Sequence, residues 1–381
     1  MLADASDATP DGDDDTSDLP PWAQPRPSGP PFMAPERCDA DLEFDAGERG
    51  QWRFDFTVPP GDDAVLVRVL PSATPRTLTG LSFSGAHDDV ITWSTYGRYT
   101  SVQQDLSPNA LAMLVPQLPT ANDVVTPGAS SVLVDGAAAT SPCFTVLGSS
   151  RADGPRALSL DVWLVGEQPI SAEQASRDPH IQRVVATAEA ALADAALTFD
   201  RIRFHDLPDA PPSWSPLLSR LDLEAMMAAV PQPSGDRAQV LAVPVFVVDG
   251  FGGDYTAGGG SLAGITAGIP IGLPGGDAGS GVVISSRQLG SELGDQIVGI
   301  VLAHELGHAL GLYHTTELTG GLADPLDDTP VCTSGITTNA AACPDYLNLM
   351  FPFALRRGPL ELSDQQREVV RAHPATRTED P

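Results

Sequence analysis

Between residues 36 and 168 apolar and polar positions alternate in short runs broken by turn residues. "QWRFDFTV", "DAVLVRVL", "DVITWSTY", "SSVLVDG", "CFTVLG" and "ALSLDVWLVG" carry the period of two that sends successive side chains to opposite faces of a strand. No long helical period intervenes, so the segment is predicted to be an all-β sandwich. Beyond residue 168 the period changes. Ile181, Val184, Val185, Ala188, Ala191 and Leu192 recur at helical spacing and predict an amphipathic helix. "DRIRFHDL" and "VLAVPVFVVDGF" then read as strands, followed by a glycine-rich stretch, the short strand "GVVISS" and further helical patterns. Alternation of helix and strand predicts an α/β or α+β layer structure over residues 172–375. Residues 1–35 are acidic and then proline-rich, with few apolar side chains to bury, and are expected to be a disordered tail. The chain thus reads as multidomain: tail, β-sandwich over 36–168 as an accessory or pro-domain, and a mixed domain over 172–375.

Charge narrows the partners. The formal net charge is −29, and a surface of that sign repels nucleic acid and anionic membranes. No stretch has the apolar length of a membrane span. Acidic tails of this kind often tether exported domains behind a removed signal, so the protein is expected to be secreted or held at a cell surface, and this start is not expected to be the biological one. Cys38, Cys143, Cys332 and Cys343 permit three pairings. Cys332 with Cys343 closes a short loop, leaving Cys38 with Cys143; four unpaired thiols are the alternative.

The stretch "HELGHALGLYH" at 304–314 concentrates three of the chain's seven histidines. It lies within "GDQIVGIVLAHELGHALGLYH", whose apolar residues surround the whole helix circumference, the mark of a buried helix. Asp295 is expected to cap its start. Buried imidazoles and a buried carboxylate are costly unless partnered. His304 and His308 are four residues apart, hence on one helix face and within reach of one cation. Gly311 allows the helix to end in a left-handed turn, after which His314 swings back as a third ligand. Three neutral ligands leave zinc an open position, the pattern of a catalytic site, and Glu305 beside it is placed to act as general base on zinc-bound water. His87, isolated in "SGAHDDV", reads as a solvated turn residue.

These residues resemble the signature of the metzincin metallopeptidases, HExxHxxGxxH followed by a methionine turn. "HELGHALGLYHT", then "DPLDDTP", then a cysteine pair ahead of "DYLNLMFP", is similar to the pappalysin (ulilysin-like) branch. The resemblance spans roughly residues 175–375 and implies a secreted zinc endopeptidase acting on proteins or peptides. It implies His304, His308 and His314 as zinc ligands, Glu305 as base and Met350 as the turn methionine beneath them. It further implies that "SLAGITAG" is the edge strand that pairs with substrate backbone, with a glycine-rich surface loop as the alternative. Asp324, Asp327 and Asp328 become candidate calcium ligands, with an acidic solvated turn as the alternative. Ser363 should cap a C-terminal helix. Cys38 is open to two readings, a partner for Cys143 or a thiolate that silences zinc. One position departs from the family: Phe351 and Pro352 stand where many members carry a tyrosine that stabilises the transition state, and Tyr346 is the nearest phenol. The competing reading is a catalytically silent metal-binding scaffold whose β-sandwich binds protein or carbohydrate.

Overall fold

In the computed structural model the described residues are 20, 22, 43–45, 51–71, 80–85, 90–92, 111–116, 125–135, 142–151, 154–230, 241–256, 262–273, 280–318, 322–333, 339–353 and 359–378. The first half contributes β1 (Glu43–Asp45), β2 (Gln51–Val58), β3 (Ala64–Pro71), β4 (Gly80–Ser84), β5 (Val90–Thr92), β6 (Leu111–Val115), β7 (Gly128–Asp135) and β8 (Pro142–Ser149). They form a five-stranded sheet in the order β1-β2-β7-β4-β5 and a three-stranded sheet β6-β3-β8, antiparallel throughout. The two sheets bury one core between them. Trp52 and Phe54 of β2 and Val132 and Val134 of β7 meet Val65, Val67 and Val69 of β3 there. Phe54 stacks on Phe144 of β8 with ring centroids 5.0 Å apart.

β3 shows why its sequence reads as continuously apolar. Its odd positions face that core, whereas Ala64 and Leu66 join the large core of the second half, together with Leu114 and Leu147. The three-stranded sheet is therefore covered on both faces. Ser149, at the end of β8, donates its hydroxyl to the Ala372 carbonyl and ties the two halves at one edge.

The second half holds β9 (Arg156–Val165), α1 (Ala172–Ala175), α2 (Pro179–Leu192), β10 (Leu197–Leu207), α3 (Arg220–Ala229), β11 (Ala242–Val248), β12 (Gly264–Thr266), β13 (Val282–Ser285), α4 (Glu292–Ala309), α5 (Asp364–Ala372) and β14 (Thr376–Thr378). The sheet order is β10-β9-β11-β13-β12, with β14 also pairing β9. β10, β9, β11 and β13 run parallel, and β12 is an antiparallel edge. The molecule is thus mixed α/β with several sheets and, among the described residues, five helices.

Two expectations need correction. "ALSLDVWLVG", grouped by its alternation with the β-rich segment ending at residue 168, is instead β9, inside the second sheet. Alternation alone does not say which sheet a strand joins; the α2 crossover to β10 makes the pairing parallel and fixes it here. The tail expected to be disordered lies almost wholly outside the described residues, but Trp22 within it is buried, 6.2 Å from the Phe204 ring. An indole has more apolar area to bury than the surrounding prolines and acids, so it anchors.

α4 forms the floor of the site. Its N-cap is Ser291, whose Oγ accepts the Gly294 amide at 3.1 Å, so the helix starts a turn earlier than expected. Asp295 is fully buried inside that first turn instead. Its Oδ2 lies 2.9 Å from His180 Nδ1 and 2.8 Å from the Arg183 guanidinium, both on α2, and Oδ1 accepts the Gly290 amide. Burial alone would raise its carboxyl; the bonds from His180, Gly290 and Arg183 outweigh that and hold it below the usual carboxylate range. Gly299 lets α2 and α4 cross closely, because a Cβ there would sit 2.6 Å from the Val184 carbonyl oxygen. No described helix is long and apolar enough to cross a membrane.

Candidate metal centre

α4 places His304 and His308 on one face, and its end brings in the third histidine. The Gly311 amide bonds the His308 carbonyl and the Leu312 amide bonds the Gly307 carbonyl, both at 2.9 Å. This pair of bonds is a Schellman motif, with Gly311 at φ +108° as the left-handed residue. The chain then reverses, and Nε2 of His314 comes to 3.1 Å from Nε2 of both His304 and His308.

The tautomers follow from the other ring nitrogens. Nδ1 of His304 is 2.8 Å from the Leu349 carbonyl oxygen, and Nδ1 of His308 is 2.7 Å from that of Leu312. Nδ1 of His314 is 3.0 Å from Glu317 Oε1. A carbonyl only accepts, as does a carboxylate, so each Nδ1 carries the hydrogen and each Nε2 presents a lone pair. Burial lowers His308 to about 3, with the neighbouring His314 acting in the same direction and the Leu312 carbonyl against it. A metal ligand must present a neutral ring, and this burial favours one. Three lone pairs converging this closely repel one another unless a cation lies among them. Three imidazoles with their far nitrogens oriented by oxygen suit zinc.

Glu305 is buried beside the triad. Burial raises its carboxyl to about 7, while the Thr266 hydroxyl, donating to Oε2 at 2.7 Å, pulls the other way. A divalent cation on the imidazoles would pull it further down. Thr266 belongs to β12, at the open edge of the sheet. On the same strand Gly264 faces Glu305: a Cβ there would fall 2.7 Å from both Cγ and Oε1 of the glutamate. The segment expected to be the edge strand therefore is one, and it touches the catalytic candidate directly.

Met350 is fully buried against α4, where a Cβ on Gly307 would lie 2.5 Å from its Sδ. The same turn holds two segments of the candidate site at once, since the Leu349 carbonyl orients His304 and the Met350 carbonyl accepts the Thr315 amide. Asp345 adds a second tether. Its Oδ2 accepts the hydroxyls of Thr315 and Thr316, each at 2.7 Å, immediately after His314. The Cys332–Cys343 disulfide closes the loop that ends two residues before Asp345, and Phe351 packs on it. Cys143 is also disulfide-bonded; Cys38 lies outside the described residues, as does His87.

A cavity of about 510 Å³ opens over the triad. It is lined by residues 262–266, by Ile297 and Val301 of α4, and by Tyr346, Pro352 and Phe353. Tyr346 thus lines the site, while Phe351 is buried away from it.

Asp324, Asp327 and Asp328, expected as calcium ligands, form no set of three converging ligand atoms among the described residues. Among the described residues, the sets of three or more His, Cys, Asp or Glu ligand atoms within 4.8 Å of one another are the histidine triad and Cys332, Cys343 and Asp345. The disulfide removes both sulfurs of the second set from metal binding. Asp328 instead caps α5, accepting the Ser363 hydroxyl at 2.7 Å and the Gln365 amide at 2.9 Å. The Asp327 amide bonds Gln365, and its carboxylate is exposed. Asp324 alone is buried; burial raises it to about 7, Thr329 and the Leu326 amide oppose that, and Asp328 and Asp345 add to it. Ser363 is the N-cap of α5, as expected, with Gln366 completing a capping box.

The contacts of Gly264 and Thr266 with Glu305, inside the expected edge strand, and the roles of Glu317 and Asp345 were not foreseen. The first two come from a strand remote in sequence, and the last two from loops where no periodicity says which way a side chain points. A carboxylate three residues past a ligand histidine was the one available hint.

No family model matches the chain, and no curated protein matches it. Among solved structures it is similar to metalloproteinase-II from Bacteroides fragilis, with 11% identity over 73% of this chain and 78% of that one and a TM-score of 0.28. It is also similar to a chain from a chaperone–substrate complex, with 18% identity over 44% and 29% and a TM-score of 0.26. A third likeness is to a family two carbohydrate esterase from Clostridium thermocellum, with 8% identity over 56% and 66% and a TM-score of 0.15. At these scores the likenesses carry no argument about fold or chemistry, and the geometry stands by itself.

Proposed function

We propose that the chain is a zinc-dependent endopeptidase of the metzincin type, most similar in its motifs to the pappalysin branch. One observation carries this reading: three imidazole Nε2 atoms converge beside a buried glutamate in an open cavity. His304, His308 and His314 would hold the metal. Zinc, when bound, supplies Lewis acidity toward a peptide carbonyl and makes water acidic near neutral pH. The remaining work falls to the chain. β12, the last strand of the sheet among the described residues, would pair with a peptide in extended form, which reads main chain and tolerates many sequences. Thr266 engages Oε2 of Glu305 and leaves Oε1 to take the proton of the attacking water. The same carboxyl then passes that proton to the departing amine. Pro352 and Phe353, with Ile297 and Val301, give an apolar seat to a substrate side chain near the scissile bond.

The disulfide supports an oxidising, extracytoplasmic setting for this activity. The test separates a peptidase from a silent metal scaffold. Zinc-loaded protein is incubated with unfolded casein and the products are sequenced by mass spectrometry. Cleavage at internal peptide bonds, suppressed by a zinc chelator, is the expected result. Intact casein after incubation with stoichiometrically metallated protein would favour the scaffold.

A further inference from the structure

His304 and His308 are oriented by main-chain carbonyls, those of Leu349 and Leu312, which no substitution can remove. His314 differs in three ways. It lies on the loop after the helix rather than on it, its side chain is about a quarter exposed, and its Nδ1 is held by a side chain carrying full charge. Glu317 Oε1 is that partner, at 3.0 Å. The carboxylate is itself restrained, because the Glu317 amide bonds the Leu322 carbonyl at 2.8 Å and so fixes the backbone that presents it.

We propose that Glu317 is a positioning residue: its carboxylate locks His314 in the tautomer and orientation of a ligand, and thereby sets how tightly the centre holds its metal. The inference rests on the zinc reading of the triad. Of the three imidazoles, His314 has the most freedom to turn, being neither helical nor fully buried, so its orientation is the one most dependent on a partner. An imidazole bonded to a carboxylate is also more electron-rich at its other nitrogen than one bonded to a carbonyl, so the loosest ligand receives the strongest support. The negative charge further offsets a dication that the three neutral imidazoles leave uncompensated.

Zinc affinity is the readout, measured by competition with a chromophoric chelator on wild type, Glu317→Ala and Glu317→Gln. Loss of such a partner weakens metal binding by about 10–100-fold, and Glu317→Ala is expected in that range. Glu317→Gln keeps an acceptor oxygen and is expected to recover part of the loss. Melting temperatures of the metal-free proteins should differ less than those of the zinc-loaded proteins, since a partly exposed loop pair contributes little by itself. Long-range ¹⁵N correlation of His314 should show the proton on Nδ1 in wild type and a tautomer mixture in Glu317→Ala. If wild type binds zinc and Glu317→Ala binds it equally well, the inference fails while the zinc reading stands. If wild type binds no zinc, the zinc reading fails, and this inference with it.

Discussion

Replacing Glu305 with glutamine is expected to leave zinc content unchanged and to slow hydrolysis of a fluorogenic peptide by about 10²–10⁴-fold, the range a positioned general base contributes. Glutamine has the size of the carboxylate and keeps an oxygen for the Thr266 hydroxyl, now 2.7 Å from Oε2, so the pocket need not rearrange. What it loses is the capacity to accept a proton. The substitution also removes a charge from a buried position, so the folded protein should be no less stable than wild type. The metal should remain, because Glu305 is not among the converging ligand atoms. Undiminished hydrolysis in this variant would remove Glu305 from the mechanism.

The second large effect is expected from a residue without a side chain. Gly264→Ala should retain zinc, fold normally and lose about 10²-fold in kcat, the penalty of displacing a catalytic group by roughly an ångström. A Cβ at 264 would lie 2.7 Å from Cγ and Oε1 of Glu305 and equally close to Val301 Cγ1. The two neighbours belong to α4, which is pinned by packing against α2 and cannot retreat. The glutamate side chain is the part that moves, taking Oε1 away from the cavity. Stopped-flow rates at saturating peptide would show the change in kcat; a variant with wild-type kcat would mean that β12 does not set the position of the base.

These effects mark where the sequence was informative. The i, i+4 histidines and Gly311 were legible because helix geometry is local: a fixed period places two rings on one face, and a glycine is needed where φ is +108°. Strands were legible as strands, but β9 was grouped with the wrong sheet, since pairing is decided by a crossover helix and not by alternation. Asp295 has the composition of a cap, yet His180 and Arg183 of α2 draw it inside the turn, through tertiary bonds invisible from its own neighbourhood. Asp328 likewise looks like a cation ligand beside Asp327 and is taken by the N-terminus of α5. Gly264 and Thr266 meet Glu305 only because β12 closes the sheet edge above α4, some forty residues before it in the chain.

Zinc per chain, measured by elemental analysis on wild type and His308→Ala purified without added metal, tests the central claim most directly. The histidine triad as described predicts stoichiometric zinc in wild type and its loss in the variant. Wild type free of zinc, or His308→Ala retaining it in full, would contradict the account.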